Sequence, residues 1–84
     1  MGRTNMSKIQ ADRKLDCLGL FCPEPVFLTR LEMDKLQIGE VLEVVADDPA
    51  AEEDIKRLVK SLGQEMVDFS KEDGKLRFLI KRIK

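Results

Sequence analysis

Two cysteines, Cys17 and Cys22, lie five residues apart in a chain of 84 residues that has no histidine. The missing histidine excludes Ser/His/Asp and Cys/His nucleophile activation and every His-containing zinc site. Chemistry in this chain therefore falls to cysteine, carboxylate, lysine or backbone groups. Two cysteines make at most one disulfide, far below the density that staples small secreted domains, so the expected setting is a reducing cytosol in which a thiol stays free. Cys22 stands at the head of Cys22-Pro23-Glu24-Pro25. A proline pushes the residue before it out of the helical region, so Cys22 is expected as an extended N-cap with its sulfur over a helix N-terminus. Pro23 and Pro25 remove two N–H groups that a first turn leaves unpaired, and the Glu24 N–H is left to meet the sulfur. The positive helix end then favours thiolate, while the nearby charge of Glu24 opposes it; the residues alone leave open which prevails. The inert alternative is a small apolar residue at a proline-rich helix start. Taken by itself, C-P-x-P is compatible with either.

The elements that must hold this cysteine are legible on both sides of it. Residues 1–13 are polar and aperiodic and read as a flexible arm ahead of a single domain over 14–84, with Met1 to Asn5 as an extension before a second possible start at Met6. From Arg13 to Leu18 the chain alternates, with Leu15 and Cys17 on one side, as a short strand does. Val26 to Leu36 reads as a helix whose apolar positions wrap widely without choosing a face. Val41 to Ala46 is a β-branched central strand. Asp48 as N-cap, Pro49 at the first helical position and Glu52 and Glu53 in the first turns start a second helix. Its apolar positions Ile55, Leu58, Val59 and Leu62 form one face, and Gly63 closes it. Glu52 with Lys56 and Glu53 with Arg57 stand at ion-pair spacing. Val67 and Phe69 alternate in a third strand, Leu76, Phe78 and Ile80 in a fourth, joined by Asp73-Gly74, the dipeptide of a tight hairpin. The order β-α-β-α-β-β predicts an α+β two-layer sandwich, a four-stranded mixed sheet with two helices on one face.

Size and charge narrow the function further. A chain this short buries only roughly 60 to 65% of its unfolded surface, so a deep substrate cavity is not expected and function belongs at the surface. With 15 basic and 16 acidic residues there is no electrostatic footprint for nucleic acid, and no apolar run is long enough for a membrane span. Lys75, Arg77, Lys81, Arg82 and Lys84 make the last hairpin basic, read as a charged edge that protects the sheet from self-pairing.

Leu15-Asp16-Cys17-Leu18-Gly19-Leu20-Phe21-Cys22-Pro23-Glu24-Pro25, followed by Gly39-Glu40, Ala46-Asp47-Asp48-Pro49-Ala50, Asp54-Ile55 and Leu62-Gly63, resembles the TusA/SirA family of small sulfur-carrier proteins from Leu15 to the C-terminus. The resemblance implies the same two-layer fold and a persulfide carried on Cys22, with Pro23, Glu24 and Pro25 as the motif around it. It implies a cysteine desulfurase or other persulfide donor, a downstream acceptor protein, and no cofactor or metal beyond the covalent sulfur. Destinations in such a family include tRNA thiolation, molybdenum-cofactor assembly and sulfur metabolism. Sulfur transfer of this kind is nucleophilic exchange, a thiolate attacking the terminal sulfur of the donor.

Phe21 stands where tRNA-thiolation members of the family carry a basic residue, and Gln64 where many have histidine. Asp47 and Asp48 match the family's acidic loop; Asp48 is read as a helix cap, and Asp47, like Phe21, as a candidate for a partner surface. Cys17 has two readings, a resolving thiol that pairs with Cys22 and releases sulfide, or an inward-facing apolar residue in register with Leu15, which the alternation already explains. A non-catalytic regulatory or RNA-binding module on the same fold is the alternative function, set against the absence of clustered basic and stacking aromatic residues. A dithiol redox role is disfavoured by the lack of C-x-x-C spacing.

Overall fold

The computed structural model describes residues 10–84; the part of the expected arm over residues 1–9 lies outside the described residues. Six elements follow in the order β1 (Arg13–Cys17), α1 (Glu24–Lys35), β2 (Val41–Ala46), α2 (Ala50–Leu62), β3 (Glu65–Glu72) and β4 (Lys75–Lys81). Asp12, in the expected arm, is held by the sheet, and the strand read from Arg13 begins there. The Asp12 N–H donates to the Val41 carbonyl, its carboxylate accepts from the Val41 N–H, each at 2.8 Å, and Arg13 opens β1.

The strands form one mixed sheet in the order β1-β2-β4-β3, β1 parallel to β2 and the other neighbours antiparallel. Parallel pairing of β1 with β2 requires a crossover, which α1 supplies. The hairpin turn is as expected: Asp73 and Gly74 both have positive φ, 53° and 78°, the geometry a two-residue turn between twisted strands requires. The order corrects one expectation. β4 lies inside the sheet, so its basic residues do not guard an edge. Arg77 instead reaches Glu43 on β2 at 2.6 Å. Arg82 donates to the Leu36 carbonyl at 2.6 Å, satisfying the end of α1 as a cation at a helix C-terminus does.

One face of the sheet carries the core. Leu42, Val44, Ala46, Leu76, Phe78 and Ile80 meet Ile55 and Val59 of α2, and Cys17 ends β1 in the same cluster. The second helix behaves as its narrow apolar face predicts, and Gly63, at φ 73°, closes it in the left-handed conformation that glycine takes without steric cost. Helix α1 settles the face that its composition left undecided: Pro25, Thr29 and Met33 are buried, a four-residue spacing that follows one side of a helix, while Phe27 and Leu31 stay exposed. A bulge corrects the third strand. Met66 pairs with Ile80 and Asp68 with Leu79, leaving Val67 out of register. The extra residue flips the alternation, so Met66 and Phe69, rather than Val67 and Phe69, pack on the core.

Candidate functional site

The loop from Leu18 to Pro23 joins the end of β1 to α1 and is pinned by the acidic loop between β2 and α2. The Gly19 N–H donates to Asp47 Oδ1 at 3.0 Å, and the Cys22 N–H to Asp48 Oδ2 at 2.8 Å. The other Asp48 oxygen accepts from the Ala50 N–H at 3.1 Å, so this residue performs the capping expected of it although the helix is assigned from Ala50. One carboxylate thus starts α2 and fixes the backbone of Cys22. Asp47, read as a candidate for a partner surface, is tied to the same loop through Gly19.

The start of α1 differs from the expectation. The N-cap position falls on Pro23, without a side-chain cap, and the Cys22–Pro23 peptide bond is cis. The Glu24 N–H donates to the Phe21 carbonyl at 2.9 Å, not to the sulfur, so Cys22 does not cap the helix.

Its sulfur points instead across to α2. Cys22 Sγ donates to Asp54 Oδ2 at 3.0 Å, while Asp54 Oδ1 is held by Arg57 at 3.3 Å. The electrostatics follow. The hydrogen bond to Asp54 raises the Cys22 thiol above its ordinary value, with partial desolvation and the charges of Asp54 and Asp48 adding in the same direction. The thiolate that the helix end was expected to favour is therefore opposed, and by carboxylates of α2 and its leading loop rather than by Glu24. At rest the sulfur is a neutral thiol donating to a carboxylate.

Cys22 is exposed and free, and it opens onto a shallow groove of about 430 Å³ between the two helices, shared with Pro23, Val26, Asp54, Arg57, Leu58 and Ser61. Its lining combines apolar Pro23, Val26 and Leu58 with the charged pair Asp54 and Arg57. Phe21, next to the cysteine, is 72% exposed.

Cys17 is brought close in sequence but not in environment. It is fully buried, and burial first, then the charges of Asp16 and Glu24, push its thiol up to about 11. Gln64 has a different occupation: its side-chain oxygen accepts from the Ile83 N–H at 2.7 Å and its amide donates to the Lys84 carbonyl at 3.0 Å, securing the C-terminal residues beside the end of α2. Asp54 is the site residue that reasoning about individual side chains missed. Its signal was present in the Asp-Pro-Ala-x-x-x-Asp-Ile spacing, which sets it one turn after the α2 start, but nothing local told that the first loop returns to that turn.

Among the described residues, no three or more Cys, Asp or Glu side chains form a group that could hold a metal ion, and no helix is long and apolar enough to cross a membrane. Residues 13–82 match the family model described as Sulfurtransferase TusA. A chain from Archaeoglobus fulgidus is 58% identical over 73 residues, 86% of this chain and 95% of that one. The sulfur carrier protein TusA of Allochromatium vinosum is 37% identical over 71 residues, covering 84% of this chain and 93% of its own length. The crystal structure of a SirA-like protein from Desulfitobacterium hafniense superposes with a TM-score of 0.75 at 22% identity, over 86% of this chain and 99% of the other.

Proposed function

The chain belongs to the TusA/SirA family of sulfur carrier proteins, and from that premise we propose that it carries sulfur as a persulfide on Cys22. A cysteine desulfurase or another persulfide donor loads it in the reducing cytosol, and a second protein unloads it. The observation that carries the reading is the contrast in access. Of the two cysteines, Cys22 is exposed at the mouth of a groove and Cys17 is sealed in the core.

The exchange is balanced without a cofactor. Cys22 sulfur attacks the outer sulfur of the donor persulfide, the donor S–S bond breaks, and its electron pair leaves on the donor thiolate. Unloading repeats the step with Cys22 as the leaving thiolate. An open groove suits this chemistry because the substrate arrives on another protein and needs no pocket. Phe21, exposed next to Cys22 in the chain, and the Asp47 loop are read as part of the partner surface. Pro23 and Pro25 hold the start of α1, Pro25 from within the core. Cys17 is read as packing, since a resolving thiol needs both access and a thiolate. The basic hairpin lends little to an RNA-binding reading, because Arg77 and Arg82 are engaged within the fold.

The test is intact mass after incubation with a cysteine desulfurase and cysteine. The chain gains the mass of one sulfur, Cys22→Ser abolishes the gain, and Cys17→Ala keeps it. No gain with any desulfurase or persulfide donor would sink the carrier role.

A further inference from the structure

We propose that Asp54 is the proton acceptor for Cys22 during loading, a catalytic residue that takes the place of the histidine the chain lacks. The inference rests on Cys22 as the carrier, and it adds the route of the proton.

The geometry makes the case. Asp54 is the hydrogen-bond acceptor of the Cys22 thiol, Sγ to Oδ2 at 3.0 Å, within the reach required of a general base. Its second oxygen is occupied by Arg57 Nη1 at 3.3 Å, which orients the carboxylate with Oδ2 toward sulfur. Asp54 lies on α2, so the acceptor is set on a rigid element, and Asp48 holds the Cys22 backbone from the other side at 2.8 Å. The charged groups around the sulfur are thus Asp54 and Arg57 from α2 and Asp48 from the loop before it. Two are carboxylates, and Asp54 is the one bonded to Sγ. The groove places Cys22, Asp54 and Arg57 on one open surface, where a donor persulfide can approach Sγ without displacing the carboxylate.

An arrangement of this kind has a cost that a proton-transfer role recovers. A carboxylate beside a sulfur nucleophile disfavours the free thiolate, so a carrier relying on pre-formed thiolate would be better served without Asp54. With Asp54 as base, deprotonation and attack occur together. The Sγ–H proton passes to Asp54 Oδ2 as the Sγ–S bond forms, the donor S–S bond breaks onto the donor sulfur, and the proton then passes from Asp54 to that thiolate. The outer sulfur keeps its own proton, the products are Cys22 persulfide and the donor thiol, and no oxidant or reductant is consumed. The acid shell also keeps the unloaded thiol protonated, and hence slow to react with oxidants and alkylating agents.

Glutathione persulfide serves as the probe, because a small donor separates chemistry from protein docking. Loading is followed by intact mass from pH 6 to 9, and thiolate by its ultraviolet absorbance in a Cys17→Ala background. Asp54→Asn is expected to contain more thiolate than the parent at every pH in this range, yet to load about 100-fold more slowly at pH 7, the lower end of what a general base contributes. Its rate should climb about tenfold per pH unit, as for a reaction through free thiolate, whereas the parent profile stays shallow. A purely electrostatic role would raise thiolate and loading together, and a merely positioning role would leave the parent rate tracking its own thiolate. Asp54→Asn loading as fast as the parent, or faster, overturns the proposal. So does a parent rate that rises in parallel with its own thiolate absorbance, a measurement that needs no variant at this position. Loading at the parental rate in Cys22→Ser would instead remove the carrier role itself, so the two failures are distinct.

Discussion

Cys17 and Cys22 are the same residue type five positions apart, and both thiols lie above the ordinary value for opposite reasons. At Cys17 the cause is burial first; at Cys22 it is a hydrogen bond to a carboxylate at an exposed site. The first thiol is protonated because water is absent, the second because a proton acceptor is present. A raised pKa therefore does not mark a cysteine as inert. What distinguishes the two is whether the group that holds the proton can also remove it.

Access gives the widest separation. In native protein, iodoacetamide should modify Cys22 while Cys17 reacts only through opening of the core, at least about a thousandfold more slowly for a domain of ordinary stability. Peptide mass mapping after timed labelling reads this directly. Comparable rates at the two positions would erase the distinction.

The buried thiol should also make stability depend on alkaline pH. Its folded value, about 11 against an ordinary 9.0, means that the protonated form favours folding. This contribution is complete below about pH 9 and is lost as the pH rises through about 11. That difference corresponds to roughly 2 to 3 kcal/mol. Urea midpoints from pH 8 to 11 should fall more steeply for the parent than for Cys17→Ala, which lacks the titrating group. Parallel curves would show that Cys17 is not sealed.

Substitution by serine separates the positions on a third axis. Cys17→Ser puts a hydroxyl into the packed cluster with Leu42, Phe78 and Ile80, at a cost of about 1 to 3 kcal/mol where no partner is available. Cys22→Ser changes a solvent-exposed atom and should shift stability by no more than about 0.5 kcal/mol. The same exchange thus harms the fold at one cysteine and sulfur loading at the other.

The packing half of this contrast was legible in the chain, because alternation from Leu15 to Cys17 already directs Cys17 inward. So was most of the framework: β2 spans the β-branched run that named it, and α2 carries its N-terminal signals and its glycine stop where local chemistry demands them. Local signals failed where a distant partner decides. Nothing in α1 shows that the sheet takes Pro25, Thr29 and Met33 in preference to Phe27 and Leu31. The bulge at Val67 follows from pairing with β4, which a strand pattern read alone does not contain. At Cys22, proline chemistry pointed to a helix cap, but the sulfur answers to Asp54, 32 residues away.

Asp48 joins the two halves of the contrast, and its replacement is the mildest test. Asp48→Ala removes the oxygen that accepts from the Ala50 N–H and the one that accepts from the Cys22 N–H. Loss of the cap should cost about 1 kcal/mol, visible as a lowered urea midpoint with an unchanged slope. Its charge also contributes to the raised Cys22 thiol, after Asp54, so the same variant should titrate Cys22 at slightly lower pH while Cys17, whose shift does not involve Asp48, stays where it is. A shift at Cys17 of equal size would mean that the loop and the core move together. A shift confined to Cys22 would show that the acidic loop addresses the exposed sulfur alone, leaving the buried one to the packing around it.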